Sequence, residues 1–131
     1  MKYLLDTHTW IWWNSRPSAL SPKVLKLIQG MEYDELLLSS ISVWEFSKLL
    51  EKKRLTLALD GGEWIKVALD MPALRFVELS TEISWQSTQL PAPFHDDPAD
   101  QIIVATARVE NAVVLTLDKL IRKYPHVRSE W

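Results

Sequence analysis

Apolar positions along the chain fall into two rhythms. Three short runs, Tyr3-Leu4-Leu5, Leu36-Leu37-Leu38 and Val113-Val114-Leu115-Thr116, are apolar almost throughout and predict buried strands. Between them the apolar residues recur at helical spacing. His8 to Trp13 reads as a first helix, broken by Asn14-Ser15-Arg16-Pro17-Ser18. Ser21 offers an N-cap with Pro22 at the first helical position, and Val24, Leu25, Leu27 and Ile28 form a stripe that ends near Gly30. A third helix is expected from about Ser42 to Lys53, with Val43, Phe46, Leu49 and Leu50 on one face and Glu45 in its first turn.

The middle carries weaker signals. Gly61-Gly62 reads as a break, Glu63 to Met71 as helix and Arg75 to Leu79 as extended chain. Ser80 or Thr81 would cap a helix to Leu90, ended by Pro91-Ala92-Pro93. After the loop Phe94-His95-Asp96-Asp97, Pro98 opens a helix to about Asn111, and the last strand leads to Asp118. Strands that alternate with helices and are apolar on both faces predict an α/β fold with a parallel sheet covered on both sides. Ligands of such sheets gather beyond the carboxyl ends of the strands.

At 131 residues, 47% of them hydrophobic, the chain suits one domain spanning 1–131, with no internal repeat or low-complexity linker. It has no cysteine, which excludes disulfides and thiolate metal sites. With only three histidines, His8, His95 and His126, nitrogen-rich metal chemistry is disfavoured as well. No apolar run approaches the roughly 20 residues that span a bilayer, so no membrane role and a cytoplasmic location are expected.

Four acids then change the picture. Asp6, Glu45, Asp100 and Asp118 are remote in sequence, yet each sits where a strand ends or the next helix begins. In a parallel sheet those places share one edge. Two carboxylates about 4 Å apart repel by roughly 4 kcal/mol at an effective dielectric near 20, so the group needs protons or a divalent cation. A purely carboxylate set favours hard Mg²⁺ or Mn²⁺.

Each acid also has a local reading. Asp6 could cap a helix, Glu45 could close a Ser-x-x-Glu capping box with Ser42, and Asp97 could cap a helix whose dipole favours Asp100. Asp118 could cap Lys119 to Lys123. Four separate caps would explain the acids one at a time; the signal is the set, not any member. The formal charge of −2 turns to +2 once these acids are set aside, 15 basic residues against 13 acidic. The bases group at Lys48, Lys52, Lys53 and Arg54 and at Lys119, Arg122, Lys123 and Arg128, either as solvated faces or as phosphate-steering patches.

From end to end the chain resembles the PIN-domain endoribonucleases, and within them the VapC-type toxins of toxin–antitoxin pairs. The resemblance is carried by Leu4-Leu5-Asp6-Thr7-His8 with Trp12, Ser39-Ser40-Ile41-Ser42-Val43-Trp44-Glu45, His95 through Ala107, Leu115-Thr116-Leu117-Asp118 and the closing Tyr124-Pro125 to Trp131. It implies a three-layer α/β/α sandwich with a central parallel sheet, Mg²⁺- or Mn²⁺-dependent RNA cleavage, a homodimer and inhibition by a cognate antitoxin protein. The family's acids fall on Asp6, Glu45, Asp100 and Asp118, with Asp97 as a further acid near the site. Gln101 and Asp96 depart from the pattern, where relatives often carry bases.

On this reading Asp6, Asp100 and Asp118 hold the metal, directly or through its waters, with Glu45 and Asp97 beside it. Glu45 orients or deprotonates the attacking water. Thr7 and Thr116 are expected to bond local backbone or to add hydroxyl contacts to ligands or phosphate. His8 and His95 flank the site without an assigned role. The seven tryptophans read mainly as core and interface, and the Trp10 and Trp13 face, if exposed, would suit a dimer or an antitoxin helix. The rivals are a catalytically silent PIN-fold module that binds RNA or protein, and an aspartyl-phosphate phosphotransferase. For the latter, Asp6-Thr7-His8 lacks a second acid two residues on.

Overall fold

The computed structural model describes residues 1–31 and 35–131. Strand β1 (Lys2–Leu5) leads into α1 (Thr7–Ser15), a 3₁₀ turn (Pro17–Ala19), α2 (Pro22–Gln29) and β2 (Leu36–Ser39). Then come α3 (Ser40–Glu51), α4 (Gly61–Leu69), β3 (Leu74–Val77), α5 (Thr81–Gln86) and α6 (Pro98–Glu110). The chain finishes with β4 (Ala112–Leu115), α7 (Lys119–Lys123) and β5 (Ser129–Glu130).

All pairings are parallel, in the order β3-β2-β1-β4-β5. Alternation along the strands deals their side chains to two cores. Leu5, Leu36, Leu38 and Leu115 join Trp10, Val24, Ile28, Phe46 and Trp64 on one side of the sheet. Leu4, Leu37 and Val114 join Ile83, Ile103, Val104 and Ile121 on the other. The result is the α/β/α sandwich with a central parallel sheet. The chain builds outward from β1 through β2 to β3 and then crosses back to lay β4 against the opposite side of β1. That reversal places a topological switch point between β1 and β4, where the crevice beyond the carboxyl ends favours ligands.

Several boundaries differ from the sequence reading, each for a local reason. Helix α3 starts two residues early because Ser39, not Ser42, is its cap and accepts a hydrogen bond from the Ile41 amide. Glu45 therefore lies in the second turn, and the Ser42–Glu45 capping box does not form. Gly61-Gly62 opens α4 instead of breaking the chain. The Asp60 carboxylate caps the Gly62 amide, and a Cβ at Gly61 would come within 2.7 Å of the Leu50 side chain, so glycine allows α4 to close on α3. Helix α5 ends at Gln86, well before Leu90, and the short closing strand β5 carried no sequence signal.

Trp10 is 0% exposed, packed edge-on against Trp64 at 5.0 Å and against Phe46 at 5.7 Å. The Trp10 face is core and cannot serve as the exposed interface considered from its spacing with Trp13. Each such aromatic pair adds about 0.5–1.5 kcal/mol beyond its burial.

Candidate active site

Three of the acids are helix caps, and that is how the fold delivers them to one edge. Asp6 closes β1 and caps α1 by accepting from the Thr7 amide at 2.8 Å. Asp97 caps α6, its Oδ1 accepting from the Asp100 amide at 3.0 Å. Asp118 caps α7 through the Leu120 and Ile121 amides. The local readings of these residues therefore hold, and they do not compete with convergence. Strand ends and helix starts coincide at the switch point, so a capping acid is also a crevice acid.

Hydroxyl groups fix the carboxylates across long stretches of chain. Thr116 Oγ1 donates to Asp6 Oδ2 at 2.6 Å and accepts from the Asp118 amide at 2.9 Å, tying β1 to the β4–α7 loop. Thr7 Oγ1 is bonded to Glu45 Oε1 and lies 2.9 Å from Ser42 Oγ, which ties α1 to α3. Both threonines thus act beyond local backbone bonding. His8 Nε2 accepts from the Leu117 amide at 3.1 Å while its Nδ1 lies 3.5 Å from Asp6 Oδ2. That leaves the ring proton on Nδ1, facing the carboxylate. Gln101 donates to the His95 carbonyl, and His95 Nε2 stands 3.1 Å from Asp100 Oδ2 without the alignment of a hydrogen bond. Sequence reasoning gave Ser42 only a capping role and left the two histidines unassigned at this edge. Only their adjacency to the acids hinted at a role here.

The five acids share one electrostatic field. Burial first, then the charges of Asp6, Asp97, Asp118 and Glu45, push the Asp100 carboxyl up to about 8. Burial also raises Glu45, opposed by its Thr7 bond and reinforced by the charges of Asp6, Asp97 and Asp118. Among the described residues no lysine or arginine pairs with any of the five. At the opposite edge the contrast is plain, since Glu110 is met by Arg75 at 2.9 Å and Lys2 at 3.3 Å, which hold its carboxyl below the usual range despite burial.

Such a set of hard oxygen donors without cationic partners suits Mg²⁺ or Mn²⁺ chemically. Among the described residues, however, no three His, Asp or Glu groups stand as a ready cage for a bare ion. The fit is therefore to a hydrated ion that keeps several waters and engages one or two carboxylates, the usual habit of Mg²⁺. A separate cavity of about 400 Å³ lies at the far edge by Asn111, Arg108 and Arg128, and the guanidinium groups of the two arginines already serve backbone carbonyls.

Fold and edge together define a class: a parallel α/β/α protein with an acidic crevice at its switch point. The PIN domain model matches residues 3–127, and the chain belongs to that family. It is 32% identical over 125 residues to ribonuclease VapC22 of Mycobacterium tuberculosis, covering 95% of this chain and 93% of that protein. DNA-bound VapBC from Salmonella typhimurium matches with a TM-score of 0.68 at 21% identity, covering 99% of this chain and 97% of that one. FitAcB from Neisseria gonorrhoeae matches with 0.68 at 21% identity over 97% and 95%. The low identity of these structures speaks for the shared fold alone. No helix among the described residues is long and apolar enough to cross a membrane.

Proposed function

We propose that residues 1–131 form a single metal-dependent endoribonuclease domain, the toxin of a toxin–antitoxin pair, working in the cytoplasm. The carrying observation is the crevice itself: five acids at one switch point, with no basic partner among the described residues and one of them pushed up to about 8. The reading is supported by the name of the mycobacterial relative, a ribonuclease, and by structural neighbours that are VapBC complexes. An antitoxin partner and a homodimer follow the same resemblance.

Asp6, Asp100 and Asp118 are the residues that would hold Mg²⁺ or Mn²⁺, one or two of them directly and the rest through its waters, with Asp97 and Glu45 beside them. When bound, the ion would acidify a water and screen the phosphate. Glu45, with its pKa raised and its Oε1 fixed by Thr7, is set to orient the water and take its proton. The water oxygen bonds to phosphorus as its proton passes to Glu45, the bond from phosphorus to the 3′-oxygen breaks, and the leaving oxygen takes a proton from solvent. The products carry a 5′-phosphate and a 3′-hydroxyl.

That no tight donor cage stands among the described residues favours one second reading, a PIN-fold module that binds RNA or protein without cutting. Incubating single-stranded RNA with Mg²⁺ and analysing the ends separates the two. Cleavage that leaves 5′-phosphates and is lost in Asp6→Asn supports the nuclease. A 2′,3′-cyclic phosphate refutes the water mechanism, and equal cutting by both proteins points to a contaminant or another site.

A further inference from the structure

Beside Glu45 a cleft of about 360 Å³ opens between α3 and the start of α6, lined by Trp44, Lys48, Lys52 and Arg54 on one side and by Asp97 and Pro98 on the other. Its size lies in the range of small-ligand sites. We propose that this cleft is a subsite for single-stranded RNA, in which Trp44 stacks on an unpaired base and Lys52 and Arg54, helped by Lys48, hold the flanking phosphates. The inference rests on the nuclease reading and adds where the strand lies.

Four observations carry it. Trp44 and Lys48 on α3 and Lys52 at its C-cap follow one another at four-residue spacing, which lays an aromatic and two cations along one stripe leading away from Glu45. Trp44 is 54% exposed, whereas Trp10 and Trp64 are buried, so its indole is available as a stacking platform. Lys48 is paired with Glu51 at 2.7 Å, whereas among the described residues neither Lys52 nor Arg54 is held in an ion pair, Lys52 feeling Glu51 only through its field. Finally, Lys53 closes α3 with φ 56, and this left-handed residue turns the chain so that Arg54 faces the cleft, its amide bonded to the Leu49 carbonyl at 2.9 Å.

The cleft is thus polarised. Its inner end is acidic, at Glu45 and Asp97, and its outer end is cationic. A polyanion fits that gradient if one phosphate reaches the acidic edge with a cation while its neighbours lie on the bases. Stacking on Trp44 requires a base free of its partner, which selects single strands or loops over duplex.

The test is fluorescence anisotropy with a fluorescein-labelled single-stranded oligoribonucleotide, without divalent ion so that the strand stays intact, alongside a Mg²⁺ cleavage assay. Trp44→Ala should weaken binding about ten-fold or more, and Trp44→Phe should restore most of it. Lys52→Ala with Arg54→Ala should lower the slope of log K against log salt by about 1.4, and blunt duplex RNA should compete poorly. All three positions are exposed, so the fold should survive, as a thermal melt verifies. Unchanged binding by Trp44→Ala, an unchanged salt slope, or equal competition by duplex overturns the subsite. Unchanged RNA binding with lost capture of a cognate protein partner also overturns it, and assigns the cleft to protein. If wild type cuts RNA while the variants bind and cut as well, the subsite fails and the nuclease stands. If nothing is cut but the binding pattern holds, the nuclease reading fails and the subsite stands.

Discussion

Thr116 and Asp6, separated by 110 residues of chain, are joined by a 2.6 Å hydrogen bond across the β1–β4 switch point. The same hydroxyl accepts from the Asp118 amide, so one small side chain sets the relative positions of two acids. Thr116→Val keeps the shape and removes both bonds. Because Thr116 is 0% exposed and one partner is a charged carboxylate, a loss of about 1.5–3 kcal/mol in denaturant unfolding is expected, together with a marked fall in cleavage rate. Thr116→Ser should recover most of both. A Thr116→Val protein with wild-type stability would show that the bond carries nothing.

Asp100 opposes folding at neutral pH. Its carboxyl titrates near 8 in the folded protein against 3.8 ordinarily, so the unfolded chain ionises first as pH rises. The stability it allows is complete below pH 3.8 and is lost as pH climbs toward 8. Asp100→Asn should therefore stabilise the metal-free protein at pH 8 by an amount on the order of 2 kcal/mol after allowing for solvent screening, and by little at pH 4. Melting curves at the two pH values check this, and a destabilised variant at pH 8 would contradict it.

Mg²⁺ should offset the same repulsion. At one hundred times its dissociation constant a bound ion adds about 2.7 kcal/mol, which for a chain of this size raises Tm by roughly 8–14 °C. The shift should vanish in Asp6→Asn, measured by calorimetry with and without EDTA. An equal shift in that variant would place the ion elsewhere.

Strands β1, β2 and β4 and the acids were legible in sequence because their signals are local: apolar runs such as Leu36-Leu37-Leu38, and capping acids such as Asp118 at a strand-to-helix turn. The start of helix α2 was readable from Ser21 and Pro22, and its end near Gly30. What escaped depends on contacts between distant segments. Ser42 looked like a cap because Ser39 and Ser40 offer equivalent chemistry, and only the strand end decides among them. Gly61 looked like a breaker because nothing local reveals that Leu50 presses against it. Likewise, no spacing rule says that Trp10 is buried while Trp44 faces solvent.

Lys53 holds a left-handed conformation that glycine adopts freely, at a cost of about 1 kcal/mol. Lys53→Gly should raise stability by a comparable amount in denaturant titration. No gain would mean that the lysine side chain repays the strain through contacts of its own.

The most direct measurement is the cleavage rate of single-stranded RNA in Mg²⁺ by Asp6→Asn, Asp118→Asn and the double variant. If the acids act as one site, each single change should lower the rate by about a thousand-fold and the double change should do little further harm. Losses that multiply, or a single variant that cuts as well as wild type, would mean that these acids do not act together.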